Sequence, residues 1–172
     1  HEKVALSLSS HPRAIAMDID GAGLPFLRDF EPPAGPKSVA ELKEVAAQCH
    51  EARVPFVLKG ILSSRGAEKA LEAGADAIVV SNHGGRVLDG VPATAEVLPA
   101  VVDAVDGACD VLVDGGIRTG IDVFRALALG ASATLVCRPF VVCVYGAGAA
   151  GVMAYLTQLR DELEDAMRMC GA

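Results

Sequence analysis

Ser81-Asn82-His83-Gly84-Gly85-Arg86 sets an imidazole and a guanidinium three residues apart in a glycine-rich loop. Histidine is suited to taking a proton near neutral pH, and arginine can grip a carboxylate through two parallel N–H bonds. A proton acceptor beside a carboxylate clamp points to a 2-hydroxy or 2-keto acid. A loop histidine beside a surface arginine is the plainer alternative. Asp114-Gly115-Gly116-Ile117-Arg118, followed by Thr119-Gly120, reads as a strand end, a tight glycine corner and a helix start. Such a corner brings backbone close to an anion, the helix N-terminus offers free N–H groups, and Arg118 adds charge. Arg138, after Cys137 at the close of the next apolar run, extends this into a cradle for phosphate. Lys59 ends the run VPFVLKG, where its ammonium can form a Schiff base or hold an anionic ring. Asp20 ends an earlier run and can accept the second N–H of an imidazole, fixing its tautomer; capping a helix in solvent is the alternative.

These residues stand at the ends of a repeated unit, a short β-branched run followed by an amphipathic segment. The five runs are Ala14–Asp20, Val54–Gly60, Asp76–Ser81, Asp110–Asp114 and Ala133–Arg138. Each is nearly continuous in apolar residues, as strands buried on both faces are. Between them lie helices with legible ends. Ser38 and Glu41 form a capping box ahead of the stripe Leu42, Val45, Ala46 and Cys49. Gly74 and Gly130 close two others. Thr94 opens a helix in which Pro99 occupies the first turn or makes a kink. A last helix is expected from about Gly151 to Met169. Strict alternation with short connections requires parallel strands, in a doubly wound sheet or a (β/α)8 barrel, and in both the chemistry collects at the strand carboxyl ends.

Composition sets the outer limits. The 172 residues are 52% hydrophobic and 22% charged, which excludes disordered and low-complexity classes. A net charge of −7 argues against a surface built for nucleic acid or an anionic membrane. Aromatic residues make up only 4%, so small and branched aliphatic side chains must fill the core. Five cysteines contain no CxxC pair, which supports neither a disulfide framework nor a zinc site and favours a reducing, cytoplasmic setting. No targeting segment is read in the chain. The stretch between Arg138 and Arg160 has no charged residue, but its glycines, Pro139, Thr157 and Gln158 favour a packed loop and helix over a membrane span.

With these motifs in place the chain resembles a known family, the FMN-dependent 2-hydroxy-acid oxidases and dehydrogenases. The resemblance rests on VLKGI at 57–61, GADAIVVSNHGGRVLDGVPAT at 74–94, DGGIRTGIDVFRALALGA at 114–131, and the later RPFV and LRDELE segments. It extends from Ala14 onward and implies a TIM (β/α)8 barrel, of which this chain supplies roughly the last five units. A whole barrel typically takes about 250 residues, so residues 1–172 are expected to be its C-terminal portion, inactive and self-associating when alone. The resemblance implies FMN as cofactor, a small 2-hydroxy acid as substrate and a homo-oligomer. It makes His83 the active-site base, oriented by Asp20, and Arg86 the carboxylate clamp. Lys59 would lie against the flavin and Ser81 would hydrogen-bond it. Asp114, Gly115, Gly116, Ile117 and Arg118, with Cys137 and Arg138, would hold the ribityl chain and phosphate. Two alternatives stand beside this: another FMN barrel, such as the type 2 isopentenyl diphosphate isomerases, and a degenerate, non-catalytic half-barrel. The pattern departs at two positions. Cys137 stands where the family usually has glycine, and a positive φ there would cost about 1–2 kcal/mol. Asp18 stands where better-known members carry a hydroxyl residue that meets the flavin.

Overall fold

The computed structural model describes residues 2–24, 27 and 35–172. A short helix α1 (Glu2–Leu8) precedes five βα units. The strands are β1 (Ile15–Asp18), β2 (Phe56–Ile61), β3 (Ala77–Val80), β4 (Asp110–Val113) and β5 (Ala133–Thr134). The helices that join or follow them are α2 (Val39–Glu51), α3 (Ser64–Glu72), α4 (Thr94–Val105), α5 (Gly120–Ala128) and α6 (Arg138–Cys170). All strand pairs are parallel and lie in the order β1-β2-β3-β4-β5. Sequential order without a reversal is the barrel pattern; a doubly wound sheet would switch direction at one point.

The expected capping box holds, with Ser38 Oγ accepting from the Glu41 N–H while Glu41 accepts from the Ser38 N–H. A second box, Thr119 with Asp122, starts α5. Gly74 and Gly130 follow the ends of α3 and α5 at φ +85° and +101°, a backbone region that glycine adopts without a Cβ penalty. α4 continues through Pro99.

Burial alternates along the strands more than their apolar composition suggests. Phe56, Leu58, Ile78, Val80, Val111 and Val113 belong to the core beneath the helices, with Leu42, Val45, Ala67, Ala70, Leu98 and Val101. On the opposite face Ala16 is exposed and Val57, Lys59 and Leu112 are half-buried. Apart from the buried Val79 of the central strand, the strands are therefore closed on one face and partly open on the other. Two boundaries also differ from expectation. β5 ends at Thr134 because Leu135 makes the last ladder bond, to Val113 O, and Arg138 begins α6 instead of closing a strand. α6 begins at Arg138, ahead of expectation; its helical dihedrals break at Ala147 and Gly148, where Gly148 takes φ +55°, and the segment beyond the break is the helix expected from about Gly151 to Met169.

Among the described residues α6 alone is long and apolar enough to cross a membrane by length and composition. In the fold it lies on α5. Glu162 accepts from the Gly120 N–H at 2.7 Å, and the Tyr155 hydroxyl donates to Arg118 O at 2.8 Å. A Cβ on Gly120 would run into the α6 backbone at Leu159 O and Leu163 N. Gly120→Ala should therefore lower stability by about 1–3 kcal/mol, the usual cost of overpacking. A thermal melt of the variant tests this, and an unchanged midpoint would contradict the packing described.

Candidate active site

The carboxyl ends of the strands surround a cavity of about 410 Å³, lined by Asp18, Lys59, His83, Gly84, Arg86, Asp114–Arg118 and Leu135–Pro139. A concavity of similar volume, about 420 Å³, opens at the other end of the sheet beside Asp76, Cys109 and Asp110. It lacks a base with a cationic partner, and the strand amino ends of such sheets serve stability.

His83 is held from several sides. Its φ is +56°, a left-handed conformation that costs a non-glycine residue of order 1 kcal/mol. Ser81 Oγ, fully buried, accepts from the His83 N–H at 3.1 Å, and Asn82 Oδ1 accepts from the Gly84 N–H at 3.0 Å. Asn82 in turn donates to Pro92 O. The ring Nδ1 lies 3.0 Å from Asp20 Oδ1 and 3.5 Å from Asp18 Oδ2. A carboxylate at Nδ1 fixes the proton there and leaves Nε2 as the basic atom.

Asp20 reaches this position through a turn and a bulge that sequence reasoning missed. It opens a 3₁₀ turn (Asp20–Gly23) just beyond β1, not the strand end itself. The turn lies against β2 at Gly60, where the β2–β3 register shifts and φ is +104°. A Cβ on Gly60 would stand 2.9 Å from Asp20 Cβ, so glycine is needed for the close approach.

Lys59 Nζ lies 2.9 Å from Asp18 Oδ2 and 3.6 Å from Asp114 Oδ2. Burial pulls its ammonium down, but the Asp18 hydrogen bond and the charges of Asp114, Asp18 and Asp20 hold its pKa above the ordinary lysine value. This charged lysine is poor at forming a Schiff base and suited to holding an anion. Burial also pushes the Asp18 carboxyl up; hydrogen bonds with Asp20 and Lys59, and the charges of Lys59 and His83, outweigh it and leave Asp18 below its ordinary value. Asp20 is raised, by burial first and then by its hydrogen bond with Asp18, against the pull of His83. The two carboxyls thus divide the work, Asp18 ionised most firmly and Asp20 the first to take a proton.

Arg86, Arg118 and Arg138 line the same cavity and, among the described residues, none forms an ion pair. Arg86 spends its Nε on His83 O at 3.1 Å, which leaves its two terminal nitrogens for a ligand. The phosphate cradle differs from expectation in one respect. The N–H groups of Arg118 and Thr119 donate to Asp122, and that of Gly120 to Glu162, so the first turn of α5 is already satisfied. Free donors lie on either side of it. The Gly115 and Gly116 backbones, at φ +90° and +80°, make no bond through their N–H groups among the described residues, and a Cβ at Gly116 would meet open space. α6 opens at the cavity from Cys137, whose side chain makes no capping bond. Cys137 has φ −116°, so the strain expected of a side chain there does not arise. Thr94 is a further residue that sequence reasoning missed: almost fully buried, it donates to Asp114 O at 2.7 Å and fixes the start of the glycine corner. Ser81 is brought to the loop but lies sealed beneath it, outside the cavity lining.

The site therefore pairs an oriented imidazole with a guanidinium, beside a lysine and an anion cradle of two arginines and free backbone donors. Comparison with known proteins agrees with that chemistry. The family model for FMN-dependent dehydrogenases matches residues 31–172. An L-lactate dehydrogenase of Yersinia pestis (strain Pestoides F) is 52% identical over 118 residues, covering 69% of this chain and 31% of the relative. An L-lactate dehydrogenase of Yersinia pseudotuberculosis (serotype O:1b) matches equally. A mandelate oxidase structure with a monooxide FMN adduct superposes with a TM-score of 0.86 at 41% identity, covering 99% of this chain and 54% of that one. A mandelate oxidase with (S)-2-phenylpropionate gives 0.86 at 40% identity, covering 99% and 55%. The chain thus spans about half the length of these structures. FMN bears a phosphate, a polar ribityl chain and a flat ring that becomes anionic, and the cavity answers each. Among the described residues it has guanidiniums outside any ion pair, free glycine N–H groups and a buried Asp114 Oδ1 with no hydrogen-bond partner, and it has a charged Lys59. Fold, donor set, family model and sequence identity agree that the chain belongs to the FMN-dependent dehydrogenase family.

Proposed function

We propose that the protein oxidises a small L-2-hydroxy acid, lactate- or glycolate-like, to the 2-keto acid. This chain forms the C-terminal portion of the (β/α)8 barrel that does so. The observation that carries the reading is the presence of His83, Arg86 and the Arg118–Arg138 pair on one cavity, with Asp20 on the far nitrogen of His83. The half-covered inner sheet face and the exposed Val142, Val144 and Tyr145 of α6 support completion of the barrel by further chain.

Arg86 holds the substrate carboxylate through its terminal nitrogens, which places C2 and its hydroxyl beside His83. His83 Nε2 takes a proton from the substrate during oxidation at C2, and Asp20 stabilises the imidazolium that results. Lys59 would hold the ring end of the cofactor, while Gly115, Gly116, Ile117, Arg118, Cys137 and Arg138 would hold its ribityl and phosphate end. FMN in this cavity would supply the two-electron acceptor for the hydride equivalent lost from C2, with oxygen or another compound as the final acceptor. Ser81 serves the site through the His83 backbone. An isomerase reading leaves the His83–Arg86 pair without a task.

The test is an absorbance scan of the complete purified protein. Flavin bands near 450 nm are expected, and they should bleach under anaerobic L-lactate or glycolate. The 172 residues expressed alone should show no turnover. A complete protein that binds FMN but is reduced by neither acid would overturn the reading.

A further inference from the structure

Among the described residues Lys59 is the one ammonium on the cavity, and it does not face it as a free charge. Asp18 Oδ2 lies 2.9 Å from Nζ and Asp114 Oδ2 lies 3.6 Å away, with the lysine side chain only 21% exposed. The same Asp18 Oδ2 stands 3.5 Å from His83 Nδ1, so one carboxylate joins the lysine to the base. Asp18 reaches both because β1 and β2 pair in register, Asp18 opposite Lys59, and side chains opposite each other in parallel strands project to the same face. Asp20 adds a third carboxyl, with one buried oxygen that has no hydrogen-bond partner among the described residues. The charged groups acting on Lys59 are thus Asp18, Asp114 and Asp20, with His83, Arg118 and Arg138 on the same cavity. A single ammonium is offset by at least two carboxylates.

We infer that Asp18 is a positioning residue that sets the redox potential of the bound FMN, by fixing Lys59 and cancelling most of its charge. This rests on the function proposed above, since it needs the cofactor in this cavity. Lys59 stabilises negative charge on the flavin ring in proportion to its uncompensated charge, and at short range in a half-buried site that effect is large. A carboxylate at 2.9 Å opposes it. A hydroxyl at position 18 would leave the lysine's field intact, so the aspartate makes the flavin harder to reduce.

The test uses the complete FMN-loaded protein and its Asp18→Asn variant, with Asp18→Thr in case the amide does not fold. Sulfite, which adds to a flavin ring and leaves negative charge on it, is titrated by absorbance, and the two-electron midpoint potential is measured separately. Either variant should bind sulfite about tenfold more tightly, and its potential should rise by about 30 mV, the same tenfold for a two-electron couple. Asp165→Asn, on the exposed face of α6, should leave both unchanged. A protein that binds no FMN overturns the functional reading and this inference with it. Bound FMN with an unmoved potential in both Asp18 variants overturns the inference, including the case where sulfite affinity alone rises because the site has become more attractive to any anion.

Discussion

His83→Gln should slow flavin reduction by the 2-hydroxy acid by about 10²–10⁴-fold, the range that a positioned general base contributes. Glutamine keeps a polar side chain of similar reach but cannot take up the proton. Its binding consequences are small by comparison, because the carboxylate grip belongs to Arg86. Anaerobic stopped-flow on the complete protein, followed at the flavin band, reads the step directly. Asp20→Asn should cost less than His83→Gln, since the imidazole itself remains as proton acceptor, on a backbone that Ser81 holds, and loses only its orienting carboxylate. A His83→Gln enzyme within tenfold of the parent would remove His83 from the base role.

The second large effect is expected from Arg86→Met, which should lower kcat/KM by about 30- to 1,000-fold, equivalent to the 2–4 kcal/mol lost when one member of a desolvated charge pair is truncated. Most of the loss should appear in KM, with a smaller part in kcat as C2 drifts from His83. Arg86 is prepared for this task by its backbone tether: with Nε on His83 O, the guanidinium plane is fixed and the remaining nitrogens form the fork that a carboxylate matches. Arg86→Lys keeps the charge and loses the fork, so it should recover only part of the activity. A methyl ester of the substrate supplies the complementary check, as it should discriminate poorly between parent and Arg86→Met. If the ester and the acid respond alike to the substitution, Arg86 does not clamp the carboxylate.

Much of this site was legible in residue types. The loop Ser81–Arg86 and the corner Asp114–Arg118 carry chemistry at spacings that a packed core would not select, and apolar runs with caps between them fixed the parallel alternation. The partners were less legible. Nothing local joins Asp18 to Lys59, because that contact depends on the β1–β2 register across forty-one residues of separation. The donors of α5 looked free in one dimension, yet Glu162 reaches back from α6 to occupy Gly120. Position 137 looked strained because family likeness placed glycine there, whereas the backbone turns into α6 at φ −116°. β5 was read too long because Leu135 and Val136 are as apolar as a strand, while a strand ends where ladder partners end.

By itself, then, the sequence determined which groups can act: a base, a carboxylate grip, a lysine and an anion corner, each at or just beyond the end of an apolar run. Local chemistry sets these, through helix caps, glycine turns and hydrophobic period. Only the tertiary structure decided which groups neutralise one another. Charge pairing is a through-space property, and the bulge at Gly60 and the register of β1 on β2 bring Asp20 to His83 and Asp18 to Lys59.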